Sequence, residues 1–125
     1  MIPSNELRFN NWIKYADKDY WIKDVIGKPC QIDIDIFIEA ESKPDLYEPI
    51  TLSPDVLEKV GFSRVDHIHG YSFYTLSKSK KNRCHIDIYP EKTQWMSYSV
   101  KHCKYLHELQ NLYYSLTGSE LEVVW

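Results

Sequence analysis

The chain has 125 residues, 43% apolar and 26% charged, with a formal net charge of −3. That length suits one domain with a single hydrophobic core, and the composition argues against disorder. The acidic balance disfavours a general nucleic-acid or membrane binder.

No apolar run is long enough to span a bilayer, and "MIPSNELRFNN" lacks the basic and apolar regions of a secretory signal. Three cysteines, Cys30, Cys84 and Cys103, stand far apart, which fits a reducing compartment better than a disulfide framework. Ten Tyr and four Trp are a heavy aromatic load for so short a chain. Such residues serve cores and interfaces alike, so some are expected in an exposed patch.

"NWIKYADKDYWIKDVIG" predicts a hairpin, with strands at Trp12 to Tyr15 and Tyr20 to Ile26 around a turn at "ADKD". Asn10 and Asn11 precede it, and Asn tolerates positive φ. "CQIDIDIFIEA" alternates Ile32, Ile34, Ile36 and Ile38 with Asp33, Asp35 and Phe37. Period two predicts a strand with the isoleucines inward and both aspartates in solvent. "TLSPDVLEKVGF" carries helix punctuation: Ser53 at the N-cap, Pro54 at the first position, Asp55 near the positive helix end, Gly61 past the stop. A short helix over 54–60 follows, with Val56, Leu57 and Val60 inward.

Strands are predicted over 64–76, 83–89 and 94–100, with turns at "SKSKKN" and "PEK". Pro90 closes the second. Leu106, Leu109, Tyr113 and Leu116 then form one helical stripe, widened by Tyr105 and Leu112, and Gly118 ends the helix. "ELEVVW" predicts a last strand with Leu121, Val123 and Trp125 on one face. The whole predicts one α+β domain over 1–125: a mostly antiparallel, twisted sheet of about six strands, one long C-terminal helix and one short helix.

Candidate chemistry is sparse. His67 and His69 in "HIH" would share a strand face, and Cys103 and His107, four apart, a helix face. These types suit zinc, but no CxxC or HExxH occurs, so no metal site and no cofactor is expected. No G-x-S-x-G and no Gly-rich phosphate loop occurs, and Cys84 and His85 point to opposite faces of a strand, so no catalytic residue is assigned. The run Lys78, Lys80, Lys81 and Arg83, after Tyr71, Phe73 and Tyr74, is the one feature favouring nucleic acid; a solvated hairpin turn explains it better. His107, Glu108, Gln110 and Asn111 lie off the leucine stripe and are expected to face solvent or a partner. His107, Gln110, Asn111 and Tyr114 form the candidate binding set.

"YLHELQNLYYSLTGSELEV" is similar to a C-terminal motif, approximately "YVHQLQNLYFALTGEEL", of small bacteriophage and prophage proteins of Bacteroidota. "ELRFNNWIKY" resembles that family's opening, "LR-x-G-N-x-V", and "EPITLSPDVLEKVGF" its middle segment, "PI-x-LTEEWLLKFGF". Asn10 stands where the family has Gly, and it keeps a left-handed turn reachable. The resemblance implies a phage- or prophage-encoded origin and no assigned activity. The expected function is a non-enzymatic accessory protein in the host cytoplasm that binds a host or phage macromolecule, a host or phage protein above all, with modulation of host defence as its role. A minor virion component is the alternative, and a small-ligand or zinc protein the third.

Overall fold

The computed structural model describes residues 2, 6–16, 27–66, 68–70, 72–78, 84–96 and 98–125, and for residues 44, 77, 78 and 84 the backbone alone. The architecture is α+β. Two antiparallel sheets, of three and five strands, replace the expected single sheet of six. The chain divides into two compact units, residues 1–51 with 105–111, and residues 52–104 with 112–125.

In the first unit, β1 (Trp12–Tyr15) pairs with β2 (Pro29–Gln31) on one side and β3 (Tyr47–Glu48) on the other. The first predicted hairpin strand is therefore present. The second, Tyr20 to Ile26, lies outside the described residues. The isoleucine run differs from its expectation: α1 (Ile34–Ser42) is a helix. Asp33 is its N-cap, and its carboxylate accepts the Ile36 N–H at 2.9 Å. Only Ile32 keeps the strand-like role, held by reciprocal backbone bonds with Asn10 and Asn11. From residue 34 the face is read every 3.6 residues. Ala40 is buried, Ile36 and Phe37 are half-buried, and Ile34 and Ile38 turn outward.

The core of this unit gathers Ile2, Leu7, Ile13, Cys30, Ile32, Ala40, Leu46 and Tyr47. Tyr47 also ties α1 to the sheet, donating its hydroxyl to Glu39 Oε1 at 3.0 Å.

The second unit begins with α2 (Pro54–Lys59). Ser53 Oγ accepts the Val56 N–H, Pro54 opens the helix, and Gly61 takes φ +94° just beyond it. Val56, Leu57 and Val60 are buried as expected. Five strands follow as a meander: β4 (Ser63–Asp66), β5 (Ser72–Lys78), β6 (Cys84–Ile88), β7 (Thr93–Trp95) and β8 (Tyr98–Val100). Two predicted strands are thus each a pair. Residues 64–76 break at Gly70, φ +86°, and residues 94–100 break at Met96, φ +49°. Tight hairpins use positive φ to match strand twist. Gly70 carries that signal openly, whereas Met96 does not. Leu76 lies opposite Ile86, and Tyr74 opposite Ile88, placing apolar pairs on one sheet face.

Helix α3 (Leu106–Thr117) is the predicted long helix. Leu106, Leu109 and Tyr113 are buried, and Gly118 follows at φ +73°. Glu108 Oε1 accepts the Tyr105 N–H at 3.1 Å, half of a capping box. The predicted final strand does not form. Leu121 is buried and the Val124 N–H reaches Lys59 O, but residues 118–125 join no sheet.

Leu109 is fully buried at mid-helix. Leu109→Ala is expected to lower unfolding free energy by roughly 2–5 kcal/mol through the cavity it leaves. A denaturation midpoint equal to wild type would contradict the packing described.

Candidate functional site

The expected binding set on α3 is mostly interior. Gln110 is 1% exposed and His107 2%, correcting the expectation that both face solvent. On a helical wheel Gln110 falls between Leu106 and His107, inside the buried arc. Its polarity matches what it meets. Gln110 Oε1 accepts the Trp12 N–H at 2.7 Å, and Nε2 donates to Asn10 O at 3.2 Å. One side-chain amide thus serves two backbone groups at the entrance to β1, as a neighbouring strand would.

Asn111 extends the arrangement. Its Nδ2 donates to Glu6 O at 2.8 Å, while Oδ1 accepts from Asn11 Nδ2 at 2.9 Å and Arg8 Nε at 3.2 Å. Arg8 to Asn11 form a turn closed by the Asn11 N–H on Arg8 O, with Asn10 at φ +73°. Asn11 Oδ1 accepts the Arg8 N–H at 2.7 Å. Asn10 therefore does adopt the left-handed conformation expected of it. His107 stacks on Tyr105, with centroids 5.9 Å apart and planes 8° apart. Of the four candidates, Tyr114 alone is exposed.

His67 lies outside the described residues, and His69 sits in the β4–β5 turn rather than on a strand. Cys103 precedes α3, in the extended stretch before Tyr105, so it shares no helix face with His107. Among the described residues no group of three or more His, Cys, Asp or Glu is placed to hold a metal. Of the basic run, Lys80, Lys81 and Arg83 lie outside the described residues, as does Tyr71, and the Lys78 side chain is likewise undescribed. Phe73 stacks against Tyr89 at 4.7 Å between centroids, so an intramolecular ring already occupies a face of it.

What the structure does expose is one face of α1. Ile34 is 62% exposed and Ile38 58%, one helical turn apart. Phe9, at the tip of the Arg8–Asn11 turn, is 51% exposed and meets Phe37 edge to face at 5.5 Å. Phe37 lies beside Ile34 on the wheel, so Phe9, Phe37, Ile34 and Ile38 form a continuous apolar strip. Asp33, Asp35 and Glu41 are exposed around it. Between residues 33 and 45 stand five carboxylates and a single lysine, Lys43. The sequence signal for this surface was the isoleucine run itself, once read at helical period.

Beneath the strip the chemistry is quiet. Burial, then Asp33 and Glu39, pushes the Cys30 thiol from 9.0 up to about 12. Burial, then the hydrogen bond to Glu39, raises the Tyr47 phenol above its ordinary value. A thiol so raised is protonated and inert at neutral pH. In the second unit the exposed Asp66 carboxyl lies below its ordinary value, through hydrogen bonds from Ser72 and then Arg64. Compared with known proteins, the chain matches no family model, no curated protein and no solved structure.

Removing the Gln110 amide takes an acceptor from the Trp12 N–H and one of the two described donors from Asn10 O. Gln110→Ala is expected to cost about 1–3 kcal/mol in unfolding free energy. Urea unfolding checks this, and an unchanged midpoint would show that the amide carries no structural weight. A second expectation concerns alkali. Folding raises the Cys30 pKa, so above pH 9 the unfolded chain sheds a proton that the folded chain keeps. The contribution is fully present below about 9 and is lost as pH climbs toward 12. Cys30→Ala should therefore flatten the fall of melting temperature across that window. Rapid alkylation of Cys30 in the native protein at neutral pH would contradict the assignment.

Proposed function

We propose that this chain is a non-enzymatic, phage- or prophage-encoded accessory protein that binds a host or phage protein through the outer face of α1. The observation carrying this reading is the pair Ile34 and Ile38, held in solvent on a capped helix whose opposite face is packed. Exposed apolar strips of this kind favour burial against a partner.

The rim selects the partner's chemistry. Asp33, Asp35 and Glu41 repel phosphate backbones and anionic lipid, and favour a protein surface with an apolar centre flanked by Lys or Arg. Helix α1 has an N-cap and a packed inner face, so it is preorganised and little entropy is lost on docking. Modulation of a host defence protein in the cytoplasm fits the phage resemblance. Attachment to the virion is the competing role.

The test uses the tagged protein expressed during infection. Wild type should capture one defined partner, and Ile34→Ser with Ile38→Ser should abolish capture while leaving the melting temperature unchanged, since both sites are exposed. Asp35→Asn with Glu41→Gln should weaken capture and reduce its salt sensitivity. Capture indifferent to both pairs overturns the α1 assignment. Recovery of the protein in purified virions, without a host partner, replaces the accessory role with the structural one.

A further inference from the structure

A second feature lies entirely within the second unit. A cavity of about 340 Å³ opens between the start of α2, the end of the β5–β6 pair and the stretch 102–104. Leu52, Leu57, Ile88 and Tyr74 supply much of its wall. Small-ligand sites are mostly apolar, with a few placed polar groups, and begin at about 300 Å³.

Lys104 is the one charged side chain among the described lining residues. Among the described residues no carboxylate lines the cavity, although the chain as a whole is acidic. Lys104, exposed, and His102, half-buried, are among the lining residues. The tautomer of His102 follows from its neighbours. Thr93 is fully buried, and its Oγ1 accepts the Cys103 N–H at 3.0 Å while lying 3.1 Å from His102 Nδ1. The buried hydroxyl proton needs an acceptor, which Nδ1 supplies by accepting from Thr93. The ring proton is then on Nε2, a donor. Ser72 adds no competing acceptor, because its hydroxyl donates to Asp66 Oδ1 at 2.6 Å and accepts from Arg64 at 3.3 Å.

We infer that this cavity binds a small apolar carboxylate: an aromatic or compact aliphatic body against Leu52, Leu57, Ile88 and Tyr74, its carboxylate toward His102 Nε2–H and Lys104. Charge-assisted bonds in a partly desolvated mouth make the acid preferred over its neutral analogue. The site is separate from the outer face of α1 and carries a different class of ligand.

The probe is 3-phenylpropionate, with 3-phenylpropionamide as the neutral control, titrated against the full chain by heteronuclear NMR. Saturable shifts at Leu57, Tyr74 and His102 are expected, with a dissociation constant of about a millimolar or below for a ligand of this size. The amide should bind roughly fivefold more weakly, and Lys104→Gln should remove most of that difference. Lys104 is exposed, so this variant keeps the fold. Leu57→Trp, which fills the cavity, should abolish binding of both probes. Equal affinity for acid and amide, a preference untouched by Lys104→Gln, or absence of saturable shifts overturns the inference.

Discussion

The two hydrogen bonds of the Gln110 side chain are the constraint on which the first unit depends. β1 has four residues and β3 two, so the three-stranded sheet is small. Where β1 begins, the Trp12 N–H donates to the Gln110 amide of α3 rather than to another strand, and Asn10 O accepts from that amide and from Gln31 Nε2. Asn111 repeats the device one residue on, holding Glu6 O and the Asn11 side chain. Buried polar groups are costly when unmet and specifying when met. Four amide-bearing residues, Asn10, Asn11, Gln110 and Asn111, thereby fix where α3 joins the N-terminal segment. The Arg8–Asn11 turn, held by the same bonds, throws Phe9 outward beside Phe37.

Much of this was legible in the residues, and the failures have physical causes. Helix α2 carries local signals at both ends, and α3 has a full stripe and a glycine stop, so both stand where expected. "IDIDIF" misled because alternation over so short a run does not fix the backbone: from residue 34 the chain is helical, and alternate residues there no longer share a face. The Asp33 carboxylate bonded to the Ile36 N–H settles the matter locally, and β-branched propensity yields to it. The hairpin turn at Met96 uses positive φ without Gly, Asn or Asp, so nothing in the sequence marked it. "ELEVVW" alternates, yet alternation specifies a strand only where a sheet edge is there to receive it.

The candidate site was legible only in part. His107, Gln110 and Asn111 were singled out for polarity beside an apolar stripe, which ordinarily means solvent. Polarity also suits a helix face that meets backbone instead of side chains, and only the placement of Asn10 and Trp12 distinguishes the two. The same residues thus turn from candidate surface into closure. An exposed apolar surface appears instead at Ile34 and Ile38, residues that their alternation places in a core. That exchange puts the proposed contact on α1, a helix bordered by carboxylates, tied to Tyr47 through Glu39 and packed inward through Ala40.

The central claim is that Gln110 replaces a strand at the entrance to β1. Amide hydrogen exchange at Trp12 tests it most directly, because that N–H donates to Gln110 Oε1 at 2.7 Å. The account predicts that Trp12 exchanges only through global unfolding in wild type, and through local opening, many-fold faster, in Gln110→Ala. A Trp12 amide that exchanges at the unprotected rate in wild type, or equally slowly in both proteins, would contradict it.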